Sequence, residues 1–225
     1  MRKTGLIIMI GLISSIVHGQ SFETNLTLSP LTTFKSNLTT ENKPAFGFSG
    51  SVQEFYILTD NFAIGSELSY SHENYKFTRD FDGFSIPEAT SYYESKLTIN
   101  SLKIPLILRM KTKSDWSVSV AYGLTYNINY KASVDYIYYD WFSNDETKTE
   151  IPETSVYSKN DLNSYLSVGF GKAFKIKDLR LLTEIYYHKS FADYRIEHGG
   201  ANGTEILYSY DISPQYIGFK VGLGL

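Results

Sequence analysis

One stretch constrains this chain more than any other: Trp116 to Tyr130, WSVSVAYGLTYNINY. Its even-numbered residues, Trp116, Val118, Val120, Tyr122, Leu124, Tyr126, Ile128 and Tyr130, are all apolar or aromatic. The odd ones, Ser117, Ser119, Ala121, Gly123, Thr125, Asn127 and Asn129, are all small or polar. A period of two without exception is a β-strand with one greasy face. The other face decides the environment. A soluble sandwich or lipocalin strand would show water a face of Lys, Glu and Thr, but here that face is Gly, Ala, Ser and Asn. Small residues suit a crowded lumen, and large ones flanked by Trp and Tyr suit a lipid-facing band between aromatic girdles. The stretch also exceeds the roughly 9 to 11 residues that a tilted membrane strand needs. The expectation is a chain that is apolar outside and polar inside.

The N-terminus reads as that of an exported protein. Arg2 and Lys3 precede an almost wholly apolar run, Leu6 to Val17, and Val17-His18-Gly19 places small residues before a cut ahead of Gln20. The run is too short for a membrane helix. Residues 1–19 therefore read as a cleaved signal peptide, and 20–225 as one all-β domain. No long apolar run follows, and the mean hydropathy is −0.21. That is compatible with a membrane barrel, in which only alternate residues face lipid. Aromatic residues make up 16 % of the chain, with 19 Tyr and 14 Phe, which favours interfacial belts over an ordinary soluble domain. The formal charge of −3, more acidic once Arg2 and Lys3 are gone, argues against a nucleic-acid partner. There is no Cys, hence no disulfide framework and no thiol site.

In chain order, Phe22 to Phe34 reads as a first strand, weakened by Pro30. PAFGFSGSVQEFYIL and the segment from Phe62 to Tyr70 form a hairpin around Thr59-Asp60-Asn61. Glu54 breaks the phase by falling on the lipid side, with Phe55 and Ile57 apolar on the other, which suggests a bulge or an interfacial position. His72 to Tyr93 reads as a long loop. A strand then starts at Leu97 and Ile99, shifts phase near Asn100 and continues through Leu102 to Met110. After the organising strand, Lys131 to Asn160 reads as the longest connection, its first part able to extend the hairpin beyond the membrane. Leu162 to Phe170, Leu179 to Tyr187 and Ile217 to Leu225 complete eight strands, with short connections alternating with long ones. The reading is an all-β, eight-stranded antiparallel up-and-down transmembrane barrel, monomeric, with both termini in the periplasm.

The chain resembles the PorT-like, porin-family outer-membrane β-barrel proteins of Bacteroidota. The likeness is carried by PAFGFSGSVQEFYILTDNF, SLKIPLIL with Pro105, DLNSYLSVGFGKAF and the Gly-rich alternating C-terminus. The last strand, with Tyr216, Gly218, Val221 and Leu223, resembles the insertion signal read by the outer-membrane assembly machinery. The resemblance implies location in the outer membrane, contact with its lipids, and the barrel fold.

The lumen side collects Glu23, Glu67, Lys103, Arg109, Arg180, Glu184 and Lys220, which in a closed barrel should pair as a structural network. An eight-stranded barrel is only wide enough for side chains to fill it; an ion or small-solute path is the alternative. Tyr136, Tyr138, Tyr139, Trp141 and Phe142 form an aromatic run that could dock a protein or glycan outside the cell, or simply form a girdle. His188 and Ser190 resemble the His-x-Ser pair of lipid A-modifying barrels, with Glu184 or Glu197 to orient the His, but Phe191 follows where that family has Asn. His72 and His198 are isolated, so no metal, no cofactor and no catalysis are expected.

Overall fold

The computed structural model describes residues 22–35, 41–80, 89–140, 142–151, 154–158, 160–177, 179–199 and 208–225. The segment read as a signal peptide, residues 1–19, lies outside the described residues, as does Trp141. The strands are β1 (Phe22–Lys35), β2 (Glu41–Lys43), β3 (Ala45–Thr59), β4 (Phe62–Asp80), β5 (Ala89–Lys111), β6 (Trp116–Asp140), β7 (Asp145–Glu150), β8 (Thr154–Ser158), β9 (Leu162–Ile176), β10 (Leu179–Ser190), β11 (Tyr194–His198), β12 (Tyr208–Ile212) and β13 (Pro214–Gly224). Eight of these, β1, β3, β4, β5, β6, β9, β10 and β13, pair antiparallel in that order, and β13 returns to β1. The sheet closes on itself, which removes the edges that an open sheet would expose.

The alternation of the organising strand has the expected sense. Val118, Val120 and Leu124 are 45 %, 43 % and 50 % exposed on the outside, while Ser119, Thr125 and Asn127 are buried in the lumen. From Trp116 to Ile128 the outward apolar row spans about 30 Å, at ~3.3 Å per residue and a tilt of ~40°, which matches a hydrocarbon core. Interior glycines make room for large neighbours. A Cβ on Gly218 would lie 2.4 Å from the Tyr186 ring, and one on Gly65 would lie 2.5 Å from the Phe55 ring.

The barrel has two unlike ends. At the turn end lie the tight β3–β4, β5–β6 and β9–β10 connections, with Asp115 and Lys177 in left-handed backbone conformations. Both ends of the described chain are here, and the Leu225 N–H donates to the Thr24 carbonyl at 2.9 Å. At the other, the loop end, the strands run well past the apolar band.

Here the structure corrects the sequence reading. His72 to Tyr93 is no simple loop: β4 continues to Asp80 and β5 starts at Ala89. In Lys131 to Asn160 the first part extends the hairpin as expected, β6 reaching Asp140 in pairing with β5, and the correction is to the rest, where β7 pairs back onto β6 and β8 follows. The phase shift assigned near Asn100 is not in β5. Leu97 and Ile99 are 0 % and 2 % exposed and share the inward face with Ser101 and Lys103. The extra residue is Ile128 of the partner strand, because Asn100 pairs with Asn129 and Ser101 with Asn127. What changes at this level is the polarity of the two faces. Along β4 the inward residues pass from Glu67, Ser69 and Ser71 to buried Tyr75 and Phe77, while the outward ones pass from Leu68 and Tyr70 to His72, Asn74 and Lys76. Below this level the barrel is built for lipid outside, and above it for water outside.

Of the two alternatives for Glu54 the bulge falls, while its place on the lipid side stands. The register shift of β3 lies lower, between Ile57 and Thr59, and Glu54 stays in phase on the outer face, paired across to Thr24 and Ser66. Phe55 points inward, fully buried in a small floor with Ala63 and Ile107.

Candidate functional site

The lumen gathers its charges in three groups stacked from the turn end upward. At the bottom, Glu23 accepts from Arg109 Nη1 at 3.2 Å, from Arg180 Nη1 at 2.6 Å, and from Lys111. The guanidinium carbon of Arg109 also lies over the Phe55 ring, 3.6 Å from its centroid. Its Nη2 donates to Gln53 Oε1 at 3.3 Å, and the Gln53 amide donates in turn to Glu67, which links the first group to the second.

In the second group Lys220 Nζ sits 3.0 Å from Glu67 and 3.8 Å from Glu184, whose other oxygen accepts from Ser119 Oγ at 3.1 Å. The third group is centred on Glu73, which receives Lys103, Ser71 Oγ at 2.8 Å and the Tyr75 hydroxyl at 2.7 Å. Lys103 also donates to the Tyr216 hydroxyl at 2.9 Å. With Asn25 Nδ2 donating to Glu23 at 3.1 Å, each carboxylate meets a cation and a neutral donor, the condition under which charge survives in a poorly hydrated interior.

All seven residues singled out from the sequence lie in this lumen, distributed over the three groups. Two members escaped notice. Lys111 lies just past Met110, where the strand reads as ending, and Glu73 lies in what reads as a loop. The parity of β4 would have found Glu73, since Glu67, Ser69, Ser71 and Glu73 are one unbroken inward series.

Among the described residues little free space remains around these groups. One cavity of about 40 Å³ lies among Gln53, Glu67, Arg109, Glu184 and Lys220, and another of about 10 Å³ lies beside Glu73 and His188. Both are of a size for water and not for a larger molecule. Above them Tyr75, Phe77, Leu97, Ile99, Val134, Tyr194, Ile196 and Ile212 form a buried, largely apolar cluster inside the loop-end wall.

The His-x-Ser pair is divided by its surroundings. His188 is stacked on Tyr216, ring centroids 4.3 Å apart, and packs on Tyr165 at 4.4 Å. Ser190 Oγ accepts from the Ala192 N–H at 3.1 Å. Glu184 is engaged with Lys220 and Ser119, and Glu197 with Arg195 at 3.2 Å. Among the described residues no group of three or more His, Cys, Asp or Glu is arranged to hold a metal ion.

The aromatic run does not form one surface, because consecutive strand residues face opposite ways. Tyr136 turns inward against Tyr93, at 5.6 Å between ring centroids. Tyr139 faces the other side and donates to Asn144, and Phe142 is 77 % exposed at the tip of the β6–β7 hairpin. Trp141 is outside the described residues.

The outer face of the loop end carries a feature that single-strand reading could not show. Lys43, Lys76 and Lys96 stand directly opposite one another across β2, β4 and β5. Like charges in that relation repel. Glu94 holds them, at 3.5, 2.8 and 3.7 Å from the three ammonium groups, while Asp135 takes Lys148 at 2.9 Å and Lys96 at 3.4 Å. Partial burial alone would raise the Glu94 and Asp135 carboxyls, but the hydrogen-bonded lysines Lys76 and Lys148 outweigh it and hold both below their ordinary values. A further sheet of β8, β11 and β12 stands on β9, β10 and β13 at the same end.

With this geometry in hand, comparison with known proteins gives one family. Residues 19–194 match the family described as outer membrane protein beta-barrel domain. No curated protein matches the chain. Among solved structures it is similar to the outer membrane protein OprG from Pseudomonas aeruginosa, with 10 % identity over 91 % of this chain and 95 % of that one and a TM-score of 0.44. It is also similar to Neisserial surface protein A, with 14 % identity, 91 % and 98 % coverage and a TM-score of 0.38. A third likeness is to Ail, the attachment invasion locus protein of Yersinia pestis, with 8 % identity, 92 % and 98 % coverage and a TM-score of 0.33.

Proposed function

Because the chain belongs to the outer membrane protein β-barrel domain family, we propose that it is an integral, non-catalytic barrel whose lumen serves stability and whose working surface is the extension at the loop end. In this reading residues 1–19 are removed on export and the turn end, with both termini, faces the periplasm. The last strand guides insertion by the assembly machinery, and a monomer sits among outer-membrane lipids with the loop end outside the cell. The partner there is a protein or a glycan. The segments PAFGFSGSVQEFYILTDNF and DLNSYLSVGFGKAF support placing the chain with the PorT-like members.

The observation that carries the reading is the occupancy of the interior at two levels: three ion-pair groups stack in the lumen, and a buried apolar cluster lies above them. A wall that extends this far above the apolar band around a core of its own is a support for an outer surface more than a conduit. The experiment has two arms. In planar bilayers the purified protein gives no discrete conductance steps, whereas reproducible steps favour a narrow pore. On whole cells a photo-crosslinker at Phe142 gives adducts with outside molecules, and one at Asp60 in the β3–β4 turn does not; adducts from Asp60 alone overturn the orientation.

A further inference from the structure

The residue that the barrel leaves unexplained is Glu54. It points outward from β3, in the same row as Phe48, Val52 and Tyr56. Its cross-strand neighbours are Thr24 and Ser66, and the next row toward the turn end is Phe22, Tyr56, Ile64 and Leu108, followed by Phe62 and Met110. The Phe22–Tyr56 ring contact, at 5.6 Å, marks the aromatic belt that sits at headgroup level. Glu54 therefore lies one row inside that belt, about 5 Å toward the bilayer centre at ~3.3 Å per residue and ~40° tilt. Among the described residues nothing forms an ion pair or a side-chain hydrogen bond with it, in contrast to every lumen carboxylate. An ionisable side chain at lipid depth costs stability, and its persistence there points to a partner.

Immediately above Glu54 the outer wall is hollowed. Gly50 takes the place of a large side chain between Phe48 and Val52, and an apolar groove of about 650 Å³ opens across β13, β1, β3, β4 and β5. Leu28, Val52, Leu68 and Leu223 line it. The groove begins at the row of Leu26, Val52 and Leu68, next to the row of Glu54 on the side away from the turn end, and takes in the following row of Leu28, Gly50 and Tyr70. Its occupant thus needs a cation just inside the belt and hydrocarbon above.

We infer that this face is a seat for a phospholipid with a primary ammonium headgroup, of the phosphatidylethanolamine class, from the leaflet at the turn end. Its ammonium meets the Glu54 carboxylate, the Thr24 hydroxyl is in the same row to meet its phosphate, and one acyl chain lies in the notch at Gly50. A second copy of the chain fits less well, because a two-fold contact on this face sets Glu54 against its own equivalent. The inference goes beyond the loop-end reading and does not rest on it.

The test uses the full-length protein in detergent micelles, given equal amounts of dioleoyl phosphatidylethanolamine, phosphatidylcholine and phosphatidylglycerol, with bound lipid read by native mass spectrometry. The expected result is at least 5-fold greater retention of phosphatidylethanolamine than of phosphatidylglycerol, falling to parity in Glu54→Gln. Removing a lipid-facing charge does not endanger folding, and heat-modifiable gel migration checks it. Gly50→Leu, which fills the notch, lowers retention of all three lipids. Equal retention by wild type and Glu54→Gln, or no preference among headgroups, overturns the inference. So does a dimer or a co-purifying protein that disappears in Glu54→Gln without any lipid preference.

Discussion

Lys103 and Glu73 show at the scale of single residues what this interior demands. Both side chains are 5 % exposed, and each is the other's only opposite charge within ion-pair distance among the described residues. Removing Lys103 leaves a carboxylate in a dry site with only Tyr75 and Ser71 donating to it. Lys103→Ala is therefore expected to cost about 3–5 kcal/mol, whereas Lys103→Met combined with Glu73→Leu recovers most of that loss. Equilibrium urea unfolding in micelles, followed by tryptophan fluorescence, checks both; equal loss in the single and double variants contradicts the pairing. Gly218 tests packing in the same way. A leucine there collides with the Tyr186 ring and is expected to cost about 1–3 kcal/mol, relieved when Tyr186 is changed to leucine as well. The seven lumen charges were legible from parity alone, because Glu, Lys and Arg alternate with large apolar residues on the same strands. Which cation meets which carboxylate was not, since Glu23 and Arg109 are 86 positions apart and meet only once the barrel closes.

At the scale of an element, the extra residue of β6 joins the two halves of the barrel. Because Ile128 has no partner in β5, Tyr130, Ala132 and Val134 turn inward onto the buried cluster and Lys131 and Asp135 turn out. Deleting Ile128 should throw the apolar set into water, so that the loop end becomes sensitive to limited proteolysis while the lipid-embedded part stays protected. Uniform protection contradicts the assignment. The sequence shows a change of phase but places it on the wrong strand, because a fixed strand between two differently filled interiors imitates a register slip. Only the cross-strand partner distinguishes the two. The loop-end lysines give a second prediction. Glu94 and Asp135 are held below their ordinary values of 4.5 and 3.8, so their ion pairs stabilise the fold above those values and are lost as pH falls through and below them. Their lysine partners are 35 % to 46 % exposed, and each pair contributes about 1 kcal/mol or less. Protease sensitivity of the loop end should therefore rise modestly below about pH 4.

Taken whole, the molecule is a barrel in two levels of opposite polarity, continuous through β4, β5 and β6 and carried on elsewhere by the separate sheet of β8, β11 and β12. The lower one is polar inside and apolar outside, and the upper one is the reverse. The lower was legible because its inward residues are small and its outward ones large, a contrast that survives in a single strand. The upper was misread as loops because Tyr, Lys, Asp and Ser mix on its strands in the proportions of irregular chain, and only the continued pairing of β4 with β5 and of β5 with β6 shows it to be sheet. The measurement that tests this most directly uses the absence of cysteine from the chain. Single cysteines along β6, from Val118 to Val134, carry a nitroxide in protein reconstituted into bilayers, and collisions with oxygen and with a water-soluble nickel chelate are compared site by site. The account predicts that even positions through Ile128 favour oxygen, that odd ones below it are shielded, and that above it the odd positions meet the chelate while the even ones become buried. A period-two pattern that runs through Ile128 without reversing, or even positions below it that meet the chelate, contradicts it.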